Sequence, residues 1–253
     1  MVSYVYPTRE ETRVNKYAVA GMVSLALTGI AQGAAAQDAA AKPGGPAPRW
    51  YIGAGLGEDF ANIPQQTIDA VNAAVLPVVQ ALAAPLPVSS AVDTNNRSTG
   101  AKLFLGYSFN RYFAVEGGYA PLGTSSADIS YYKSTGGVLS PAGSVNMTYE
   151  MTAAYIDAVG SLPLSEKWSL LGRVGAAYGR TNVTVSGTPV TLVLSSSQES
   201  KSTVRAKFGA GVDYNLNPAF TVRAEWELYQ LPDPLSSEYF DVNAATLSLL
   251  YRF

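Results

Sequence analysis

Eleven charged side chains carry most of this chain's capacity for chemistry: Lys102, Glu116, Asp157, Arg173, Arg205, Lys207, Asp213, Arg223, Glu225, Glu227 and Arg252, each in a stretch where polar and apolar residues alternate. Carboxylates such as Glu116 and Glu225 have the groups for general acid and base work, but their spacing matches no catalytic pattern. The sequence contains no His and no Cys. That excludes thiolate nucleophiles, disulfides, most zinc sites and every mechanism with an imidazole base, including a Ser activated by His. No enzyme, cofactor or metal site is expected. A net charge of -2 and the lack of any Lys/Arg cluster also argue against nucleic acid as a partner.

These charges lie on strands. From Lys201 to Leu216, Val204, Phe208, Ala210, Val212, Tyr214 and Leu216 share one face, opposite Lys201, Thr203, Arg205, Lys207 and Asp213. After Asn217-Pro218 the pattern returns, with Phe220, Val222, Ala224, Trp226 and Leu228 against Thr221, Arg223, Glu225 and Glu227. Asp241 to Phe253 and Trp168 to Val185 repeat it, and Tyr149 to Leu162, Tyr112 to Tyr119, Ala101 to Phe109 and Trp50 to Leu56 complete a set of eight. A soluble sandwich would turn the apolar face inward, whereas a membrane barrel turns it toward lipid and the charges into the lumen. Periodicity does not choose between them.

The connections do. Phe109 to Arg111, Leu164 to Lys167 and Asn215 to Pro218 are tight, whereas Gly57 to Arg97, Pro121 to Val145, Gly187 to Ser200 and Leu231 to Tyr239 are long. Strict alternation of short and long connections is the pattern of an outer-membrane barrel with short periplasmic turns and long extracellular loops. The expected fold is therefore all-β, an eight-stranded antiparallel transmembrane β-barrel. Only 14% of residues are charged, against roughly 25% for a typical soluble domain. Glycine (23) and tyrosine (16) supply turns, crowded pleats and wet interfaces instead. Aromatics gather near strand ends as two belts: Trp50, Tyr51, Tyr107, Phe109, Tyr112, Phe113, Trp168, Tyr214, Phe220, Tyr251 and Phe253 on the short-turn side, with Tyr119, Tyr149, Tyr178, Tyr229, Tyr239 and Phe240 on the other.

Upstream, Arg13 and Lys16 precede the apolar stretch Tyr17 to Ile30 and the small-residue run Ala31 to Ala36. This reads as a signal peptide over residues 1–36, because the stretch is shorter than the roughly 20 residues a membrane anchor needs. A start at Val14 would give a more conventional leader than Met1. Residues 37–49, rich in Ala, Pro and Gly, read as a flexible linker, and 50–253 as the barrel. Within the long first loop, residues 57–97, the apolar segment Pro64 to Ala84 is expected as a helix or pair of helical turns outside the first hairpin. Pro77, Pro85 and Pro87 argue against a membrane span.

In order and spacing, several segments resemble the OmpA-like outer-membrane β-barrel family: Trp50 to Gly55, Asn110 to Tyr119, Trp168 to Tyr178, Gly209 to Tyr214, Arg223 to Glu227 and Leu250 to Phe253. The resemblance implies residence in the cell outer membrane, contact with its lipids and lipopolysaccharide, and recognition of Tyr251 and Phe253 by the barrel-assembly machinery. It also implies that cell-wall anchoring is not expected, since no peptidoglycan-binding domain follows the last strand. Eight strands leave a lumen only wide enough for side chains, so the inward charges should form a packed ionic network. The expected role is structural or surface-interacting, with binding through the long loops. A narrow gated pore for ions or small solutes is the alternative.

Overall fold

Lipid offers no water to unpaired backbone groups, so a sheet that crosses it must close on itself. The computed structural model describes residues 49–188 and 197–253, and there the chain does close. The reading of residues 1–36 as a leader lies outside the described residues, as does that of 37–49 as a linker except at Arg49, which begins the first strand. Nine strands and one helix follow in the order β1 (Arg49–Ala61), α1 (Gln65–Ala83), β2 (Val88–Asn95), β3 (Arg97–Ser108), β4 (Phe113–Thr135), β5 (Val138–Pro163), β6 (Trp168–Thr188), β7 (Ser197–Asn215), β8 (Phe220–Pro232) and β9 (Tyr239–Arg252). Eight of the strands form a ring in the order β4-β3-β1-β9-β8-β7-β6-β5, closed by the pairing of β5 with β4. Every pairing is antiparallel.

Asn and Ser make the tight turns. Asn110 Oδ1 accepts from the Tyr112 and Phe113 amides at 2.7 and 3.0 Å, and Asn217 Oδ1 accepts from Ala219 and Phe220 at 2.9 Å each. Ser165 Oγ does the same for Lys167 and Trp168 at 3.3 and 3.1 Å. In each case a short polar side chain replaces the partner that a backbone bond would have supplied.

The opposite rim departs from the expected set of loops. A hydrocarbon span needs roughly 9 to 11 residues per strand, yet β4, β5, β6 and β7 run for 23, 26, 21 and 19. Residues Pro121 to Val145 are strand nearly throughout, and Gly136 and Gly137 close a two-residue hairpin at φ 59° and 84°. That Gly-Gly pair is a turn signal present in the sequence, so the apparent loop is two strands. The first loop also changes: β1 continues to Ala61, α1 is one helix through Pro77, and β2 is a ninth strand that pairs with β4. The order β2-β4-β5-β6-β7 thus continues beyond the ring as an open curved sheet.

A bulge lets β4 serve both parts. Between Pro121 and Thr124 it carries one residue more than its partner β5, with Gly123 at φ 71°. The inward set accordingly switches from Glu116, Ala120 and Leu122 to Ser125, Ala127, Ile129 and Tyr131. Farther down, glycines seat aromatic rings across the β1–β3 ladder. Tyr51 lies over Gly106 and Phe104 over Gly53, and an added Cβ would stand 2.2 Å from the ring in each case. Gly106→Val should therefore overpack the lumen and cost about 1–3 kcal/mol. The check is the temperature at which the folded, fast-migrating band is lost on an unboiled gel. An unchanged temperature would contradict this packing.

Candidate functional site

Parity brings most of the predicted charges together. Glu116, Asp157, Arg173, Lys207, Asp213, Arg223, Glu225, Glu227 and Lys102 all point inward and are buried. Arg173 of β6 sits at the centre, within 2.9 Å of Glu116, 3.2 Å of Asp157, 2.6 Å of Glu225 and 2.9 Å of Glu227. Lys207 bridges Asp157 at 2.6 Å to Glu227, and Lys102 joins Glu227 at 2.9 Å to Glu225. Arg223 grips Asp213 through two bonds of 2.7 and 3.1 Å and also meets Glu116. The guanidinium forks suit this lattice, since each can serve several carboxylates at fixed geometry.

Aromatic groups complete the packing. Tyr51 donates its hydroxyl to Glu116 at 2.7 Å. The Lys207 ammonium lies 4.1 Å from the Tyr155 ring centre and 5.0 Å from that of Tyr229, and Lys102 lies 5.1 Å from that of Phe104. Tyr51, Tyr149, Tyr229 and Phe240 thus leave the belts in which their strand-end positions had placed them. All four are buried and face inward. Position near a strand end does not tell which face a side chain takes. Outward-facing Trp50, Phe113, Trp168, Tyr251 and Phe253 stay on the short-turn side, with Tyr119, Trp226 and Tyr239 opposite.

Two predicted members stand apart. Pairing of β7 with β8 ends at Phe208 and Leu228, so Arg205 lies at a freed edge, half-exposed, 3.7 Å from the Tyr239 ring centre instead of in the network. Arg252 caps the short-turn end, donating to Asn215 Oδ1 at 2.9 Å and Thr221 Oγ1 at 2.6 Å. Two further buried carboxylates lie in segments that the sequence presents as loops: Asp233 in the β8–β9 connection, and Asp59, which packs against Gly100 with neither oxygen hydrogen-bonded. No group of three or more His, Cys, Asp or Glu among the described residues is placed to hold a metal ion.

Above the ionic layer the interior becomes apolar. Ile129, Tyr131, Val145, Met147, Tyr149, Val183, Leu231, Phe240 and Val242 line this upper chamber, and Ile68, Val75 and Val79 of α1 pack among them. The helix therefore lies within the mouth, correcting the expectation that it sits outside. Thr67 donates to Asp233 in the β8–β9 connection, which also accepts from the Leu235 amide at 3.0 Å and Ser236 Oγ at 2.9 Å. Lys201 Nζ donates to the Ser236 carbonyl at 2.9 Å. Burial, with the Asp233 carboxylate nearby, pushes the Tyr149 phenol well above its ordinary range, so it remains a hydroxyl donor at physiological pH.

A closed ring with an apolar exterior, ions inside and short turns at one end describes a bilayer-spanning barrel, and residues 22–253 match the family described as outer membrane protein beta-barrel domain. The chain belongs to that family. It resides in the cell outer membrane, with the tight turns periplasmic and the projecting sheet extracellular. A search of the curated proteins returns no match. Among solved structures, Ail, the attachment invasion locus protein of Yersinia pestis, crystallised with the heparin analogue sucrose octasulfate, is similar at 18% identity over 82% of this chain and 100% of its own (TM-score 0.43). Neisserial surface protein A is similar at 11% identity over 81% and 97% (TM-score 0.49). OprG from Pseudomonas aeruginosa is similar at 12% over 83% and 98% (TM-score 0.43).

Within this barrel, removing the central cation should be costly. Arg173→Met leaves four carboxylates short of compensation and should destabilise by about 3–5 kcal/mol. Arg252→Met releases only neutral partners near the rim and should cost about 1 kcal/mol. Urea unfolding in lipid vesicles, followed by fluorescence of Trp50, Trp168 and Trp226, measures both. Similar small losses for the two variants would refute the central role of Arg173.

Proposed function

We propose that this protein is a plugged outer-membrane barrel with a structural and surface-interaction role, acting through its extracellular sheet, and that it is neither an enzyme nor a conduit. One observation carries the reading: two seals stand in series across the lumen. The ionic layer around Arg173 fills the membrane span, and the apolar layer under α1 fills the mouth. A solute would have to break a lattice of buried ion pairs and then displace a packed helix. Transport gains nothing from the second barrier, whereas a rigid platform for binding does.

The projecting sheet supports the same reading. It presents a Ser-, Thr- and Asn-rich outer face, where Asn146 Nδ2 donates to Asp128 at 2.6 Å and Arg180 Nε to Ser200 at 3.1 Å. It also carries exposed apolar residues at its tip, Val138 and Leu139. Such polar ladders suit sugars and headgroups of the surrounding lipopolysaccharide, and an exposed apolar tip suits a macromolecular surface. Tyr251 and Phe253 are exposed on the outer wall at the end of β9, where the assembly machinery would meet them.

Purified protein in planar lipid bilayers should show no steady conductance steps, and the same preparation should be retained on envelope or host-surface ligands. Discrete, reproducible steps from the wild-type protein would overturn this proposal in favour of a narrow gated pore.

A further inference from the structure

Around the upper chamber β2, β4, β5, β6 and β7 form one ladder, left open where β7 parts from β8, and α1 is tied there by few bonds. Thr67 donates to Asp233, Asn72 Nδ2 to Ser90 Oγ at 3.2 Å, and Gln80 bridges the Leu86 carbonyl and the Val88 amide at 3.0 Å each. No side chain caps the helix start, and Pro77 removes a backbone donor from its interior. If Thr67 lets go, Asp233 keeps the Leu235 amide and Ser236 hydroxyl, so its charge is not stranded.

Beneath α1 the wall carries hydroxyls with nothing to bind. Ser125 of β4 stands directly across from Tyr149 of β5, and Thr181 of β6 stands across from Met151, so the three form a row over adjacent strands. They are 1%, 0% and 0% exposed, and none of their oxygens has a hydrogen-bond partner. An unmatched buried hydroxyl is unfavourable. A few convergent polar groups in an otherwise apolar concavity are how binding sites orient a ligand. The floor is shut, because Tyr155 and Tyr229 cover Lys207 and the ionic layer lies below.

We propose that the chamber under α1 is a binding site for a small apolar molecule bearing one hydrogen-bond acceptor, with α1 as its lid. The ligand takes the space that Ile68, Val75 and Val79 occupy in the closed form, and its acceptor meets the hydroxyls of Ser125, Tyr149 and Thr181. It enters from outside the cell and goes no further, since the floor does not open. The site adds capture of a small molecule to the surface role and does not depend on that role.

The test uses the full chain in lipid nanodiscs, labelled with 3-fluorotyrosine, and 2-heptanone as the probe. The Tyr149 resonance, assigned by its loss in Tyr149→Phe, is followed by fluorine NMR. Saturable displacement of that resonance is expected. Thr67→Val, which frees the lid without changing its volume, should tighten apparent affinity several-fold by raising the open population. A Thr67→Cys/Asp233→Cys pair, the sole cysteines in the chain, should weaken binding by about tenfold or more when oxidised and recover on reduction. Thr181→Val should weaken binding without altering heat-modifiability. Absence of a saturable shift in both the wild type and Thr67→Val would overturn the site, and equal affinity in the oxidised pair would overturn the lid. Where the pair does not oxidise, unchanged affinity in Thr67→Val overturns the lid by itself.

Discussion

Hydrocarbon tolerates neither an unpaired backbone amide nor a stranded charge, and this exclusion organises the membrane-spanning part of the molecule. Ring closure satisfies the amides. It also gives all charged residues of the span a single place to go, a lumen wide enough only for side chains. Arg173 can then reach carboxylates from β4, β5 and β8 at once, which no pair of adjacent strands would allow. The network therefore depends on closure, and its cations and carboxylates in turn hold facing strands at fixed distance across the lumen.

Outside the membrane a different solvent applies, and the same strands change their packing. Where water is available again, the inward face of β4 to β6 turns from charges to Ile129, Met147, Tyr149 and Val183, and the chamber needs a cover. Helix α1 supplies it with Ile68, Val75 and Val79. The bulge at Gly123 is the joint between the two regimes, since the extra residue reverses which side chains of β4 face inward. A barrel stacked beneath a small helix-filled sheet results, with an ionic core in lipid and an apolar core in water.

The length of β4 to β7, the added strand β2 and the latched helix build the part above the ring, and the proposed surface role rests on them. The unmatched hydroxyls of Ser125, Tyr149 and Thr181 belong to the same region. Other buried polar atoms, among them those of Asp59, Thr246 and Ser248, are unmatched too, but Ser125, Tyr149 and Thr181 stand in one row on adjacent strands.

Alternation in Lys201 to Leu216 and Phe220 to Leu228 was enough to find the strands, and tight Asn and Ser turns were enough to order them, because both signals are local. Parity places Lys102, Glu116, Asp157, Arg173, Lys207, Asp213, Arg223, Glu225 and Glu227 on the lumen face for the same reason, and all nine are buried in the structure. Which carboxylate meets which cation was not legible, since partners such as Glu116 and Arg223 are 107 residues apart and meet only across a closed lumen. Arg205 could not be told from Lys207 by parity, because the difference is where β7 parts from β8. Tyr149 and Phe240 carried a belt signature but lie inside, and α1 reads as a detached loop helix until the sheet that receives it exists. Sequence alone determined the eight ring strands and the polar and apolar faces of their alternating stretches, because those follow from backbone geometry and side-chain polarity. Tertiary structure alone decided the ion pairing, the bulge-driven change of face and the seat of the helix, because each depends on groups brought together only when the ring closes.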